Sequence, residues 1–277
     1  MSPPGRPKGE YRSAQREGAL AGATVQPRQV SRVVIVMDSA TSLASALETG
    51  VGLAGAMGAS LEGRFFEDLD LLRLGDLPFA VELCSVTGAR QELSSPHIER
   101  ALRLEAARQR KLVAASATRK RVPWTFAVAY GQRLTAAIAY EAELVVLGPR
   151  ARARRGIGRA GPAGPVAAMF DASDAAERAM SAAAHLATSF ACEMLILVPD
   201  GESRSAKARR DAAQAWLAAE GLGGRVVAIV PERAALVAAV RARHSAVLAM
   251  PASALTAWPL DMDMLRDELV CPLVFVR

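Results

Sequence analysis

The stretch from Arg32 to Phe66 constrains the fold most, because the chain repeats it at an offset of 133 residues. The first copy reads RVVIVMDSATSLASALETGVGLAGAMGASLEGRFF, and the second reads GPVAAMFDASDAAERAMSAAAHLATSFACEMLILVP. The two align without a gap, so that Val33 matches Val166 and Asp38 matches Asp171. Each copy has an apolar run, a turn with an aspartate, an Ala-rich stretch of helical periodicity and a second apolar run. The repeat therefore predicts two β-α-β modules, one in each half.

Helices and strands continue to alternate after each copy. In the first half, a helix beginning at Ser95 precedes strands that begin at Trp124 and Glu143, and the second half closes with a strand at Pro272–Val276. This alternation predicts an α/β fold with two tandem open parallel-sheet modules of Rossmann-like type. Gly164–Phe170 would have to be both the last strand of the first module and the first strand of the second. We therefore expect the first module to lack its own complete last helix and strand.

Composition along the chain predicts four units. They are a disordered basic tail at residues 1–30, a first module at 31–150 with a long loop at 67–94, an Arg/Gly-rich loop or linker at 151–163, and a second module at 164–277. The offset between the repeats falls to about 102 where Pro149 matches Pro251. This drop places the extra residues of the first half between its second and third strands, in the long loop.

The net charge of +6 is concentrated in two places. Residues 1–32 carry six basic and two acidic side chains, and residues 150–159 carry five arginines. Without those eleven bases and two acids, 23 basic and 26 acidic residues remain, so we do not expect a nucleic-acid-binding face. No apolar run reaches the ~18 residues that span a bilayer, and no secretion signal is recognisable, so we expect a cytoplasmic protein. Cys192 and Cys271 are expected to be small buried residues.

Three stretches together resemble the universal stress protein family: Val33–Ala40, Val166–Ser173 and Cys271–Val276. The resemblance covers about residues 31–277 in tandem. It implies an open α/β fold, a stress-related or regulatory role and, in many members, a site for ATP or a related adenine nucleotide. In the family, that ligand lies between a loop that follows the first strand and bears the Asp, and a loop that follows the fourth strand. The second loop reads Gly, two residues, Gly, nine residues, Gly, then Ser or Thr.

This chain meets that pattern only in part. In the first half the spacing survives, but Ala151 replaces the second glycine and Pro162 replaces the hydroxyl residue. Ala151 adds a Cβ, and Pro162 has neither a hydroxyl nor an N–H to donate. The loop arginines offer forked cations as an alternative grip on an anion. In the second half, Met250–Ala254 has no glycine, so we expect no nucleotide there. The candidate ligand-binding residues are Asp38, Ser39, Gly148, Arg150, Arg152 and Gly161.

Each of these assignments has an alternative. Asp38 faces a ribose or adenine, or it only caps the following helix. The arginine loop is an anion site, or it is a solvated linker between the modules. Gly156, Gly158 and Gly161 spell GxGxxG, but they do not lie between a strand and a helix, so we reject a dinucleotide fingerprint. We predict neither a catalytic residue nor a metal site.

Three functions remain open. The first is a binding protein of this family with a degenerate adenine-nucleotide (ATP or AMP) or anion site in the first module, the second module being a structural or dimerising partner. The second is a nucleotide-independent interaction module, in which the loop Leu69–Leu93, with LPFAVEL at its centre, docks onto a protein partner or a second copy. The third is a nucleotide hydrolase of the same fold.

Overall fold

The computed structural model describes residues 30–83, 87–131, 142–150, 164–200, 204–258 and 260–277. Its strands are β1 (Arg32–Met37), β2 (Ser60–Asp68), β3 (Val81–Leu83), β4 (Arg90–Glu92), β5 (Trp124–Gly131), β6 (Leu144–Leu147), β7 (Val166–Met169), β8 (Met194–Pro199), β9 (Gly224–Ile229), β10 (Val247–Pro251) and β11 (Leu273–Val276). Its helices are α1 (Leu43–Met57), α2 (Leu69–Leu74), α3 (Ser95–Arg119), α4 (Asp174–Phe190), α5 (Arg204–Ala219), α6 (Arg233–Ala242), α7 (Ala254–Ala257) and α8 (Met262–Glu268).

Nine strands form one open sheet in the order β5-β2-β1-β6-β11-β10-β7-β8-β9. Neighbouring strands within each half are parallel, as expected for strands joined by helical crossovers. The predicted central strands are equivalent: β1 lies between β2 and β6, and β7 lies between β8 and β10. The α/β class and the mostly parallel open sheet predicted from the repeat are confirmed.

The two halves meet at the single antiparallel pair of the sheet, β6 and β11. Leu273 pairs with Leu147, and Val276 pairs with Leu144. Since β7 pairs with β8 and β10 only, it does not also serve as the fifth strand of the first half. In the part of the chain that the structure describes, the last strand of the second half occupies that place. The two halves of the chain therefore share one sheet.

Helices cover both faces of the sheet, so strand residues alternate between two apolar cores. Val33 and Ile35 pack in the core under α1, α3, α4 and α5, whereas Val34 packs in the core under α6 and α8. A Cβ at Gly50 of α1 would lie 2.6 Å from Ile35, so this glycine permits close contact between helix and sheet. Gly52 has ordinary room, 3.7 Å from Leu186.

The predicted long loop contains regular structure. The strand β2 continues to Asp68, α2 follows it directly, and β3 and β4 form an antiparallel two-stranded sheet. The segment then enters α3, whose N-cap residue is Ser94. Cys271 is buried as predicted, and burial raises the pKa of its thiol to about 12, whereas Cys192 is only partly buried. Among the described helices, none has the length and apolar character needed to cross a bilayer.

Candidate functional site

The turn after β1 is organised by the side chain of Asp38. Its Oδ1 accepts hydrogen bonds from the backbone N–H of Ala40 at 3.0 Å and from the hydroxyl of Thr41 at 2.7 Å. The hydroxyl of Thr41 in turn accepts the backbone N–H of Asp38 at 3.0 Å. Short polar side chains favour such local turns over helix. Asp38 does not cap the next helix: α1 begins at Leu43, and its N-cap residue is Ser42.

Arg266, from α8 in the second half, donates into this turn. Its Nη1 lies 2.9 Å from Asp38 Oδ2, and its Nη2 lies 3.3 Å from Asp38 Oδ1 and 2.9 Å from Thr41 Oγ1. Its Nε donates to the carbonyl oxygen of Gly148 at 3.1 Å. The residue is 1% exposed, so this guanidinium is buried and fully occupied. The ion pair joins positions 228 residues apart and ties the last helix to the loops that follow β1 and β6.

The electrostatics of this corner keep Asp38 ionised. Burial alone would raise the pKa of its carboxyl group, but the hydrogen bonds and charge of Arg266, with the donors on Thr41 and Ala40, outweigh burial and lower the pKa. A carboxylate held by a forked, charged donor is among the stronger pairings in proteins. The geometry therefore describes an internal ion pair between the two halves.

Gly148 lies where the two loops touch. A Cβ at this position would lie 2.7 Å from Thr41 Cγ2 and 2.8 Å from the carbonyl oxygen of Ser42. The N–H of Ser42 donates to the carbonyl oxygen of Pro149 at 2.8 Å, and Thr41 forms an isolated antiparallel bridge with Arg150. The absence of a side chain at Gly148 thus serves the close approach of the turn after β1.

Arg150 is directed toward carboxylates of α8. Its Nη2 donates to Asp263 Oδ1 at 2.8 Å, and its Nε lies 3.3 Å from Asp267 Oδ1 as an ion pair without hydrogen-bond geometry. Burial lowers the pKa of this guanidinium, but Asp263 and Asp267 outweigh burial, and the net shift is upward. Its backbone N–H donates to the carbonyl oxygen of Arg266 at 3.2 Å.

Ser39 lies apart from this cluster and lines a cavity of about 380 Å³. The cavity lies between α2, the β3-β4 hairpin and the first turns of α3. Its wall consists of Leu71, Leu93, Ile98, Ala101 and Leu102, and its polar lining consists of Ser39, Glu82, His97 and Glu105. The hydrogen bonds from Arg108 outweigh burial and lower the pKa of Glu105. Gln109, one turn farther along α3, donates to the carbonyl oxygen of Asp38 at 3.1 Å.

The predicted site residues are therefore only partly brought together. Asp38, Gly148 and Arg150 form one cluster, Ser39 faces the neighbouring cavity, and Arg152 and Gly161 lie outside the described residues. Arg266 was not found from the sequence, because no spacing or local motif connects a residue of α8 with the turn after β1. Within the described ranges, no three His, Cys, Asp or Glu side chains are grouped as metal ligands.

Comparison with known proteins gives a likeness of fold. A universal stress protein from Archaeoglobus fulgidus DSM 4304 superposes with a TM-score of 0.52 at 12% sequence identity, covering 88% of this chain and 96% of that chain. The fold is that of the universal stress proteins. A putative universal stress protein from Pseudomonas aeruginosa UCBPP-PA14 has a TM-score of 0.46 at 11% identity, over 89% of this chain and 93% of that one, too loose a match to add to the argument. No family model matches the sequence, and no curated protein matches it significantly.

Proposed function

We propose that this chain is a cytoplasmic universal-stress-protein-like regulatory protein with two tandem modules, which acts by binding a protein partner and not by turnover. Its binding surface is the apolar strip, which we define as residues 74–83. Ten large apolar side chains are exposed in the described residues, and five of them lie in these ten consecutive positions. They are Leu74, Leu77, Phe79, Val81 and Leu83, with Phe79 81% exposed. Large exposed apolar side chains are thus concentrated in one short segment, and exposed apolar surface is typical of interaction sites.

The corner around Asp38 supports a structural role better than a ligand-binding role. Its two described arginines, Arg150 and Arg266, already face three carboxylates: Asp38, Asp263 and Asp267. An anionic ligand would have to displace at least one of these ion pairs. One of them involves the guanidinium of Arg266, which is 1% exposed. Breaking the buried pair of Arg266 with Asp38 would cost about 3–5 kcal/mol. The pairs of Arg150 with Asp263 and Asp267 are exposed and would cost much less to break.

A second candidate is an adenine nucleotide, ATP or AMP, or another anion, bound by the first module. The cavity beside Ser39 favours it, because open α/β sheets bind ligands at the carboxyl ends of their strands. In this case the second module is a structural or dimerising partner. The weakest candidate is hydrolysis of the nucleotide in the same place.

A photo-crosslinking experiment tests the leading proposal. A photoreactive phenylalanine replaces Phe79 in one protein and Val230, which is 51% exposed in the second half, in a matched control. We expect position 79 alone to give a specific adduct, whose partner is then identified and purified. The reconstituted complex should be lost with Phe79→Ser and kept with Val230→Ser. A complex indifferent to Phe79→Ser would reject the apolar strip as the binding surface.

Calorimetric titration separates the two candidates. ATP, AMP and inorganic phosphate are titrated into the intact protein and into a variant with Arg150→Ala and Arg152→Ala. The leading proposal expects no binding heat at millimolar concentration of any of the three. Saturable ATP binding that the arginine variant loses would instead support the nucleotide candidate, and phosphate release over hours would extend it to hydrolysis.

A further inference from the structure

Both faces of the β3-β4 hairpin carry a carboxylate next to apolar groups. Side chains alternate along a strand, so Val81 and Leu83 share one face, on which they are 59% and 60% exposed. Glu82 lies on the opposite face and lines the cavity beside Ser39. Glu92 of β4 is paired with Val81 in the register and is exposed. Each face of the hairpin therefore combines an apolar surface with a carboxylate.

The segment around the apolar strip is acidic in a chain that is basic overall. Residues 69–93 carry four acidic and two basic side chains, a net charge of −2, whereas the whole chain has a net charge of +6. Asp70 and Arg73 pair with each other at 3.1 Å. The other charged residues of the segment are Asp76, Glu82, Glu92 and Arg90. The segment around the apolar strip therefore has the opposite sign of charge to the chain as a whole.

The cavity next to the hairpin offers an anchoring point. It has about 380 Å³ of space, an apolar wall that includes Leu71, Ile98 and Leu102, and Glu82 at its polar side. Interfaces are stabilised mostly by a few bulky side chains that enter such pockets. A carboxylate beside an apolar pocket selects an apolar group flanked by a positive charge.

We propose that the partner presents a basic segment that carries a bulky apolar side chain: one Arg or Lys faces Glu82 where the apolar side chain enters the cavity, and another faces Glu92 beside Val81 on the other face of the two strands. This inference rests on the proposed function, whose binding surface it uses. A second copy of this chain fits less well, because a symmetric contact would place two segments of net charge −2 against each other.

Selection from a library of random displayed peptides on the intact protein tests this inference. We expect the enriched peptides to be basic and to contain a Leu, Phe or Trp. Measured by fluorescence anisotropy, their affinity should fall about tenfold or more for Glu82→Lys with Glu92→Lys. It should be unchanged for Glu220→Lys, an exposed glutamate of the second half. Added salt should weaken the binding.

Three results would overturn the inference. Enriched peptides that are neutral or acidic, yet lose binding with Phe79→Ser, would show that the partner chemistry is wrong while the apolar strip remains the binding surface. Peptides indifferent to Phe79→Ser would remove the binding surface and the proposed function together. A dimer in sedimentation that Phe79→Ser dissociates would show that the occupant is a second copy. Phe79 is 81% exposed, so its replacement by Ser leaves the core intact.

Discussion

The two halves keep the same turn after their first strand and use its aspartate differently. In the first half the N–H of Ala40 donates to Asp38, and in the second the N–H of Ser173 donates to Asp171 at 2.9 Å, at the equivalent position of the repeat. Ser173, and not Asp171, then caps α4 by accepting the N–H of Ala176 at 3.2 Å. Asp38 also accepts a hydrogen bond from the buried guanidinium of Arg266, in the other half. Among the contacts of the described residues, Asp171 has no such partner.

The loops that follow the fourth strand of each half also differ in their packing. Gly148 in the first half corresponds to Met250 in the second, because Pro149 matches Pro251. Met250 is 0% exposed and fills an apolar core, whereas Gly148 leaves room for the turn at Thr41. The strand, turn and helix are thus common to both halves, and the packing around the turn has diverged. One half has specialised this corner as the contact with the other.

The largest effect is expected from Arg266→Ala. The change leaves the largely buried carboxylate of Asp38 without its cation and removes the donor to the carbonyl oxygen of Gly148. We expect a loss of about 3 kcal/mol in the free energy of unfolding, the low end for a broken buried pair because Asp38 is 20% exposed. Urea denaturation measures it. The matched control is Arg178→Ala, an exposed arginine that donates to the carbonyl oxygen of Arg277, with an expected loss below about 0.5 kcal/mol.

A loss below about 1 kcal/mol for Arg266→Ala would contradict the interpretation of this pair as a stabilising contact between the halves. Such a small loss would mean that the pair contributes no more than an ordinary surface ion pair. The apolar contacts on both sides of β6 and β11 would then hold the halves together.

The repeat allowed much of the fold to be predicted, because each helix, strand and turn leaves a pattern in its own stretch of sequence. A continuous apolar strand, an Asp turn and an amphipathic helix each leave their own pattern, so β1, α1, β7 and α4 are visible in the sequence. The pairing of β6 with β11 and the contact of Arg266 with Asp38 leave none, because both depend on how two distant segments are packed. The spacing of the loop singled out Gly148 as a candidate ligand-binding residue. The structure shows a different need for glycine there, because Thr41 approaches this position closely.

Replacing each aspartate by asparagine compares the two turns directly. Asp38→Asn leaves Arg266 buried without a counter-charge, and we expect a loss of about 2 kcal/mol. Asp171→Asn keeps an acceptor for Ser173 and should cost less than about 1 kcal/mol. The double variant Asp38→Asn with Arg266→Ala should lose clearly less than the sum of the two single changes, by about 2 kcal/mol. Equal losses at the two aspartates, or strict additivity in the cycle, would count against a coupled pair.

Gly148→Ala tests the close approach of the two loops. The new Cβ would lie 2.7 Å from Thr41 and 2.8 Å from a backbone oxygen of Ser42, so the turn has to move, and we expect a loss of about 1–2 kcal/mol. Gly52→Ala is the matched control, because its Cβ meets only Leu186 at 3.7 Å. In the middle of α1 this change should stabilise the protein by up to about 1 kcal/mol. A neutral result at Gly148 would show that the turn adapts freely.

The smallest effect is a dependence on pH that belongs to the first half alone. Folding lowers the pKa of Asp38 from its ordinary value of 3.8. The ionised carboxylate is therefore more favourable in the folded state than in the unfolded state. The stabilisation is present above pH 3.8 and is lost as the pH falls through the lower pKa of the folded protein. The difference in unfolding free energy between the native protein and Asp38→Asn should thus be constant near neutral pH and shrink below about pH 4. Urea denaturation of both proteins at a series of pH values measures it. A difference that grows as the pH falls would mean that burial, and not Arg266, controls this carboxylate.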